Sequence, residues 1–271
     1  LEKNHPEKTG KPFFLALGFY RPHTPYVAPT HHAKHYPLNK IKPVLEKEGD
    51  RDDIPKAALP DRPHQRELTM AKRKEIIQAY YASTTLMDAC LGRVLDALDK
   101  APRSKNTIVV LWSDHGFHLG EKDHIEKFAL WEKSNHVPFI IVAPGITDPE
   151  RVCGKPVDLT VLYPTLLELC SLKADREVDG VSVVPLLRKP KAKWERPALM
   201  TYGRGNHAIR SERWRYIRYA DGSEELYDHQ SDPEEWTNLI TKPSLKEVIT
   251  SHRKWLPKKE ALPIADLGKK R

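Results

Sequence analysis

Cysteine is scarce in this 271-residue chain, which holds only Cys90, Cys153 and Cys170. An odd number spaced so far apart makes no disulfide framework, and without a C-x-x-C pair there is no zinc ribbon. Long apolar runs are missing as well. The longest, 107–112 and 137–143, fall far short of the ~20 residues of a spanning helix, so no segment is long and apolar enough to cross a membrane as one. Glycine takes 13 positions with no period, which excludes a collagen-like or low-complexity chain. The first residues, Leu1-Glu2-Lys3-Asn4-His5, carry neither a Met nor a basic-then-apolar leader, and the expectation is that the natural start lies upstream.

Charge of one sign is also less abundant than the total suggests. The formal net charge of +8 would fit an anionic partner, but residues 242–271 hold nine basic and three acidic groups. The body before them is nearly neutral, and the excess is a basic tail best read as a solvated terminus.

What is present is an alternation of helical and strand patterns. Phe13–Phe19 is a short apolar run leading into a Pro- and His-rich loop, and it reads as a buried strand. A polar, proline-punctuated excursion follows from Pro43 to Arg66. Between Met70 and Lys100, apolar residues at Ile76/Ile77, Tyr80, Met87, Leu91, Val94/Leu95 and Leu98 keep a 3.6 period, predicting a long amphipathic helix on a core. Asn106–Ser113 and Val137–Ala143 are apolar on both faces, as central strands of a parallel sheet are. Val157–Leu172 predicts another amphipathic helix. Helices alternating with such strands mean an α/β fold with both sheet faces covered.

Beyond about Arg188 the texture changes. Ala198–Tyr202, Arg213–Tyr219 and Glu224–Tyr227 read as short half-exposed strands, with Asp221-Gly222 as a hairpin turn and Ser244–Trp255 as a helix against them. A boundary therefore falls near Lys189–Trp194.

The sharpest chemical signal is Ser113-Asp114-His115-Gly116, directly after a predicted strand. Ligands of open α/β sheets sit outside the carboxyl ends of strands. Asp and neutral His both coordinate divalent cations, although an Asp at this place also serves as a helix cap. The loop Leu119–Lys127 is rich in titratable groups and poorly suited to a core, which suggests an active-site rim. A second cluster is Tyr20-Arg21-Pro22-His23-Thr24-Pro25-Tyr26, where flanking prolines restrict the backbone around His23 and present its imidazole as a general acid or anion contact. His31, His32 and His35 read as exposed loop residues. His136 reads as a packing residue.

Taken together, Phe13–Pro25, the strand with Ser113–Gly116, the Leu119-Gly120-Glu121…Lys127 segment and His136-Val137-Pro138 resemble the sulfatases of the alkaline-phosphatase superfamily, most of all the iduronate-2-sulfatase branch. Arg210–Ile217 and Glu225-Leu226-Tyr227-Asp228…Asn238-Leu239 resemble that family's carboxy-terminal subdomain. The resemblance implies a partial sulfatase-like mixed sheet flanked by helices over 1–190, with a small α+β subdomain and basic tail over 191–271. It implies that Asp114 is a carboxylate ligand of an active-site Ca2+, with His115 a second ligand or a partner of the sulfated nucleophile. Lys127 would neutralise the sulfate oxygens, and His23 would protonate the leaving alcohol. Glu121 and His124 would stand at the rim or behind it. The implied substrate is a sulfated carbohydrate such as a glycosaminoglycan 2-sulfo-uronate, in a periplasmic, secreted or lysosomal setting.

Two family elements are missing from these residues. The formylglycine nucleophile arises from a Cys-x-Pro-x-Arg type motif, which Cys90, Cys153 and Cys170 all fail to provide, and no Asp-Asp pair follows an early strand. Lys122 and Ile125 also stand where relatives tend to carry a His and an aromatic. The expectation is therefore the carboxy-terminal part of a sulfatase, inactive alone, dependent on the missing amino-terminal part and poorly soluble because its sheet edges are unpaired. A phosphodiesterase or phosphonate hydrolase of the same superfamily and a non-catalytic anion-binding module are the competing readings. Nucleic-acid binding ranks lowest, since core positions account for most aromatics.

Overall fold

The computed structural model describes residues 10–59 and 68–260. They fall into two compact units. One takes in the described residues up to Lys42 together with Met70–Ala101, and the other takes in those between Pro43 and Thr69 and everything described from Pro102 onward. The basic run beyond Glu260 lies outside the described residues, as does part of the Pro43–Arg66 excursion. No helix among the described residues is long and apolar enough to cross a membrane.

In the first unit a one-turn helix, α1 (Thr30–Ala33), packs on the long helix α2 (Met70–Asp99). The 3.6 period predicted α2 within one residue. Its amino-terminal half is the better buried, at Ile77, Ala82 and Ser83, whereas Leu95 is 38% exposed. The segments on either side of α1 are tacked to α2 by tyrosines. Tyr26 meets Tyr80 edge-on with centroids 5.7 Å apart, Tyr36 meets Tyr81 at 5.3 Å, and Gln78 Nε2 donates to the Tyr36 carbonyl at 2.7 Å. Phe13–Phe19, expected as a buried strand, is irregular and exposed, with Phe14 85% exposed. A strand requires a neighbour for its backbone donors and acceptors, and none pairs with this segment among the described residues.

The second unit carries two sheets. β1 (Val109–Trp112) and β2 (Phe139–Val142) pair antiparallel, Val110 opposite Ile141, which corrects the parallel arrangement expected. Nor are both faces covered. Phe139 and Ile141 pack on Val161, Val183 and Leu186, whereas Ile140 and Val142 on the other face are 53% and 50% exposed. Apolar residues on two faces record what a strand tolerates, and pairing direction leaves no mark in so short a run. Between β1 and β2 lies the one-turn helix α3 (Glu132–Asn135). After β2 come α4 (Leu162–Leu169), shorter than the span predicted from 157 to 172, and α5 (Val184–Arg188).

The second sheet is an antiparallel meander, β3 (Ala198–Thr201), β4 (His207–Arg210), β5 (Trp214–Arg218) and β6 (Glu224–Asp228). Strand β4 was not foreseen. The Asp221-Gly222 turn was: Gly222 sits at φ +89° between β5 and β6, and the Asp221 carboxylate accepts from the Ser223 amide at 2.9 Å. These strands are buried, not half-exposed, because both faces are covered. Ile209, Tyr216 and Leu226 face α6 (Lys246–Arg253) through Ile249, and Ala208, Ile217, Tyr219 and Tyr227 face Ile54, Leu130 and Trp131. Each fully buried side chain of this size is worth about 1.5–3 kcal/mol. Both sheets belong to this one unit, in which β2 ends at Val142 and β3 begins at Ala198.

Candidate active site

Strand β1 ends at Trp112, and the chain then turns sharply at Ser113–Gly116. Ser113 donates through Oγ to the His115 carbonyl at 2.8 Å, and the amides of Gly116 and Phe117 donate to the carbonyls of Ser134 and Lys133, both at 2.8 Å. Gly116 is required here for space. A Cβ at that position would lie 2.1 Å from the Lys133 carbonyl oxygen. The turn leaves the Asp114 side chain 83% exposed with Oδ2 3.6 Å from His115 Nε2.

The tautomer of His115 follows from its other nitrogen. Nδ1 lies 2.7 Å from the Gly116 carbonyl, which only accepts, so the ring proton sits there and Nε2 offers a lone pair beside the carboxylate. Two electron-pair donors at that separation suit a shared cation. Ca2+ takes six to eight ligands, mainly oxygens, so Asp114 fits it directly and His115 is the softer neighbour, and more carboxylates are needed to complete a site.

The loop that follows is far from the polar rim expected. His118, Lys122, His124 and Ile125 are buried, at 1%, 6%, 2% and 9% exposure. The rings of His118, His124 and Trp131 meet edge-on, His118 and His124 at 5.1 Å, and His118 Nδ1 is 2.8 Å from Ser134 Oγ. Burial, with His124 and Lys122 nearby, drives the His118 imidazole well below its usual pKa and keeps it neutral. Glu121 accepts from the Leu119 amide at 2.7 Å, a loop-closing bond. Lys127 is half-buried, its Nζ 5.5 Å from the Phe128 ring centroid. Among the described residues Lys127 neither hydrogen-bonds nor ion-pairs with Asp114.

His23 belongs to the other unit. It is exposed, its ring lies 5.0 Å from that of Tyr20, and its Nδ1 donates to the Thr24 carbonyl at 2.7 Å, which leaves Nε2 for a ligand. Arg21 donates to the carbonyls of His23 at 2.9 Å and Pro25 at 2.6 Å, closing the loop on itself. The structure thus brings Asp114 and His115 together and sets Lys127 on the next loop of the same unit. His136, read as packing, is exposed, with Nδ1 3.3 Å from Glu132 Oε1, and that hydrogen bond raises its pKa. His31 and His35 are exposed as expected, whereas His32 is half-buried and its pKa is lowered by burial and then by the two neighbouring imidazoles.

The buried charges behind this segment were missed. Arg215, 1% exposed, donates to the Leu130 carbonyl at 2.9 Å and to Glu132, and its Nε lies 2.6 Å from Glu235. Arg210 adds a 3.1 Å contact to Glu132, and His229 Nε2 donates to Glu235 at 2.8 Å. Burial alone would raise the Glu132 pKa, but His136 and the two guanidiniums hold it far below the usual range. Glu132, His229 and Glu235 converge closely enough to ligate a metal, within 4.8 Å, yet two arginines already neutralise them and would repel a cation. A signal existed in the sequence: Arg215 shares its strand face with Ile217, and Glu225 shares its own with Tyr227, so both are charges at core positions.

Comparison with known proteins gives the lineage of the chain. The sulfatase family model matches residues 3–172, and the model of the N-sulphoglucosamine sulphohydrolase C-terminal region matches residues 120–261. The chain is 41% identical over 257 residues to a sulfatase of Formosa agariphila, covering 93% of this chain and 50% of that protein. It is 32% identical over 267 residues to arylsulfatase K of Mus musculus, covering 85% and 47%. Among solved structures, a 2-O GAG sulfatase superposes with TM-score 0.60 at 28% identity, over 69% of this chain and 43% of the other. The phosphonate monoester hydrolase of Silicibacter pomeroyi superposes with TM-score 0.76 at 22% identity, over 93% and 56%, a likeness of fold. The chain spans about half the length of the relatives it matches. The family model over residues 3–172 and the 41% identity over 93% of the chain decide the lineage, and the chain belongs to the sulfatase family.

Proposed function

We propose that the whole protein hydrolyses sulfate esters of a carbohydrate, of the iduronate-2-sulfatase type acting on a 2-sulfo-uronate, and that these residues supply part of its site. The observation that carries the reading is the Asp114–His115 pair at the end of β1, with two electron-pair donors 3.6 Å apart. The likeness to a 2-O GAG sulfatase supports the substrate class. Asp114 would hold the Ca2+, with His115 beside it, and further Asp ligands and a formylglycine nucleophile would come from sequence outside these residues, in which no Cys-x-Pro-x-Arg type motif occurs. The ion would neutralise sulfate oxygens, and the formylglycine would supply the attacking hydroxyl.

The residues of this chain then have separate tasks. Lys127 places a point charge on the sulfate, binding it and balancing the charge that grows as the ester breaks. His23, oriented by its Thr24 contact, carries a proton on Nε2 when cationic and delivers it to the leaving alkoxide. His115, with its proton on Nδ1, keeps Nε2 as an acceptor. These residues alone would be inactive. The test is an assay of the full-length protein, with formylglycine verified by mass spectrometry, on an aryl sulfate, a 2-sulfated uronate and a phosphonate monoester. Release of sulfate from the uronate is expected. Turnover of the phosphonate alone would transfer the protein to the hydrolase reading, and turnover of none would refute both.

A further inference from the structure

Lys122 carries a charge that the proposed chemistry does not use, and its surroundings are unusual for a lysine. It sits at φ +55° with Asp123 at +51°, a left-handed pair without glycine at the apex of the 119–127 loop. The strained apex sends the side chain inward. Nζ lies 3.1 Å from Asp50 Oδ1, donates to the Glu235 carbonyl, and stands 5.6 and 5.4 Å from the ring centroids of Trp131 and Tyr227. Beneath those rings is Glu225, fully buried on β6, which accepts from Trp131 Nε1 at 3.0 Å and from the hydroxyls of Tyr219 and Tyr227. Burial pushes the Glu225 and Asp50 carboxyls upward, with Lys122 acting against it at both.

The backbone bonds within the loop are short-range, while Arg51 reaches the Lys122 carbonyl at 3.5 Å and His118 meets Ser134 Oγ at 2.8 Å. Gly120 donates to the His124 carbonyl, Asp123 to that of Gly120 and His124 to that of Glu121, all at 3.0 Å, and His118 donates to the Glu126 carbonyl at 2.9 Å. These bonds make the loop a knot, and Lys122 ties it to Tyr227 on β6 and to the Glu235 carbonyl just beyond that strand. Lys127 leaves the same knot one residue after Glu126.

We propose that Lys122, seated on Asp50, the Glu235 carbonyl and the Trp131–Tyr227–Glu225 cluster, is a positioning residue that fixes the loop presenting Lys127 to the sulfate. This rests on the role given to Lys127 above. It assigns the carboxy-terminal sheet a part in the reaction through Lys122 and its loop.

The experiment is a double-mutant cycle in the full-length protein, Lys122→Met against Lys127→Ala, with amide hydrogen exchange on each variant. Lys122→Met is expected to lower kcat/KM by roughly ten- to a hundredfold, the cost of a misplacement near 1 Å. In the Lys127→Ala background it should change kcat/KM by no more than about twofold, because both substitutions remove the same contact. Exchange should rise at Gly120, Asp123 and His124 while β5 and β6 keep their protection. Asp50→Asn, a milder change, should reproduce the pattern if Lys122→Met fails to fold. Multiplying losses would overturn the positioning role, as would unchanged exchange across the loop. A Lys127→Ala variant with full activity would overturn the reading of Lys127 and this inference with it, and the exchange data would still report whether the loop is tied.

Discussion

Replacing Arg215 with Met should cost the protein about 3–5 kcal/mol, the range for breaking a buried ion pair on one side. The structure shows where that loss falls. Glu132 would retain Arg210 at 3.1 Å and His136 at 3.3 Å, but Glu235, 2% exposed, would be left with His229 and the Glu132 amide. In the native protein burial tends to raise the Glu235 pKa, and Arg215 with His229 overcomes it, so the carboxyl is held low. A depressed carboxyl stabilises the fold above its unfolded pKa, about 4.3, and that contribution is lost as pH falls through the folded value. Without Arg215 burial dominates and the folded pKa rises above the unfolded one. The penalty is then full at neutral pH and is relieved as the group protonates. Urea unfolding at about pH 7 and about pH 4.5 should show the gap between native and variant narrowing, with the neutral thermal midpoint lower by roughly 6–12 °C. Adding Glu235→Gln should recover part of the loss. A cost under about 1 kcal/mol at neutral pH, or a gap independent of pH, would refute the reasoning.

Other substitutions probe separate joints. Gly116→Ala should destabilise by about 1–3 kcal/mol in urea titration, because the new methyl must displace the Lys133 carbonyl 2.1 Å away. Glu225→Leu should cost at least about 1–3 kcal/mol by stranding the Trp131 and tyrosine donors, whereas Glu225→Gln, which still accepts, should cost far less. His136 is the exposed partner of its pair with Glu132, which keeps Arg210 and Arg215, so His136→Asn should cost no more than about 1 kcal/mol, and only at low pH. The raised pKa of His136 makes its contribution complete below about 6.5 and absent once pH passes the folded value, so native and variant should melt together at alkaline pH.

The parts legible in the sequence were those with local causes. The 3.6 period gave α2 nearly to the residue, β-branched runs gave β1 and β2, and Asp221-Gly222 gave the β5–β6 turn. Pairing was not legible, because direction and partner are long-range properties. Phe13–Phe19 has the residues of a strand but no neighbour among the described residues, and β1 met β2 antiparallel. The site showed the same division. The turn at Ser113–Gly116 was readable because its cause is local, a strand end followed by a glycine. The 119–127 loop looked solvated because its compensating groups, Asp50, Glu225 and Glu235, lie 72, 103 and 113 positions from Lys122 in sequence. A charged residue on a buried loop carries no strand-face signal, and in the sequence its distant partner is not visible.

The most direct test of the account is the rate of sulfate release from a 2-sulfated uronate by the full-length protein, compared with its Asp114→Asn and Lys127→Ala variants. Each variant should retain its fold and lose roughly a hundredfold or more in kcat, as for removal of one charge-stabilising group. Undiminished turnover in both variants would contradict it.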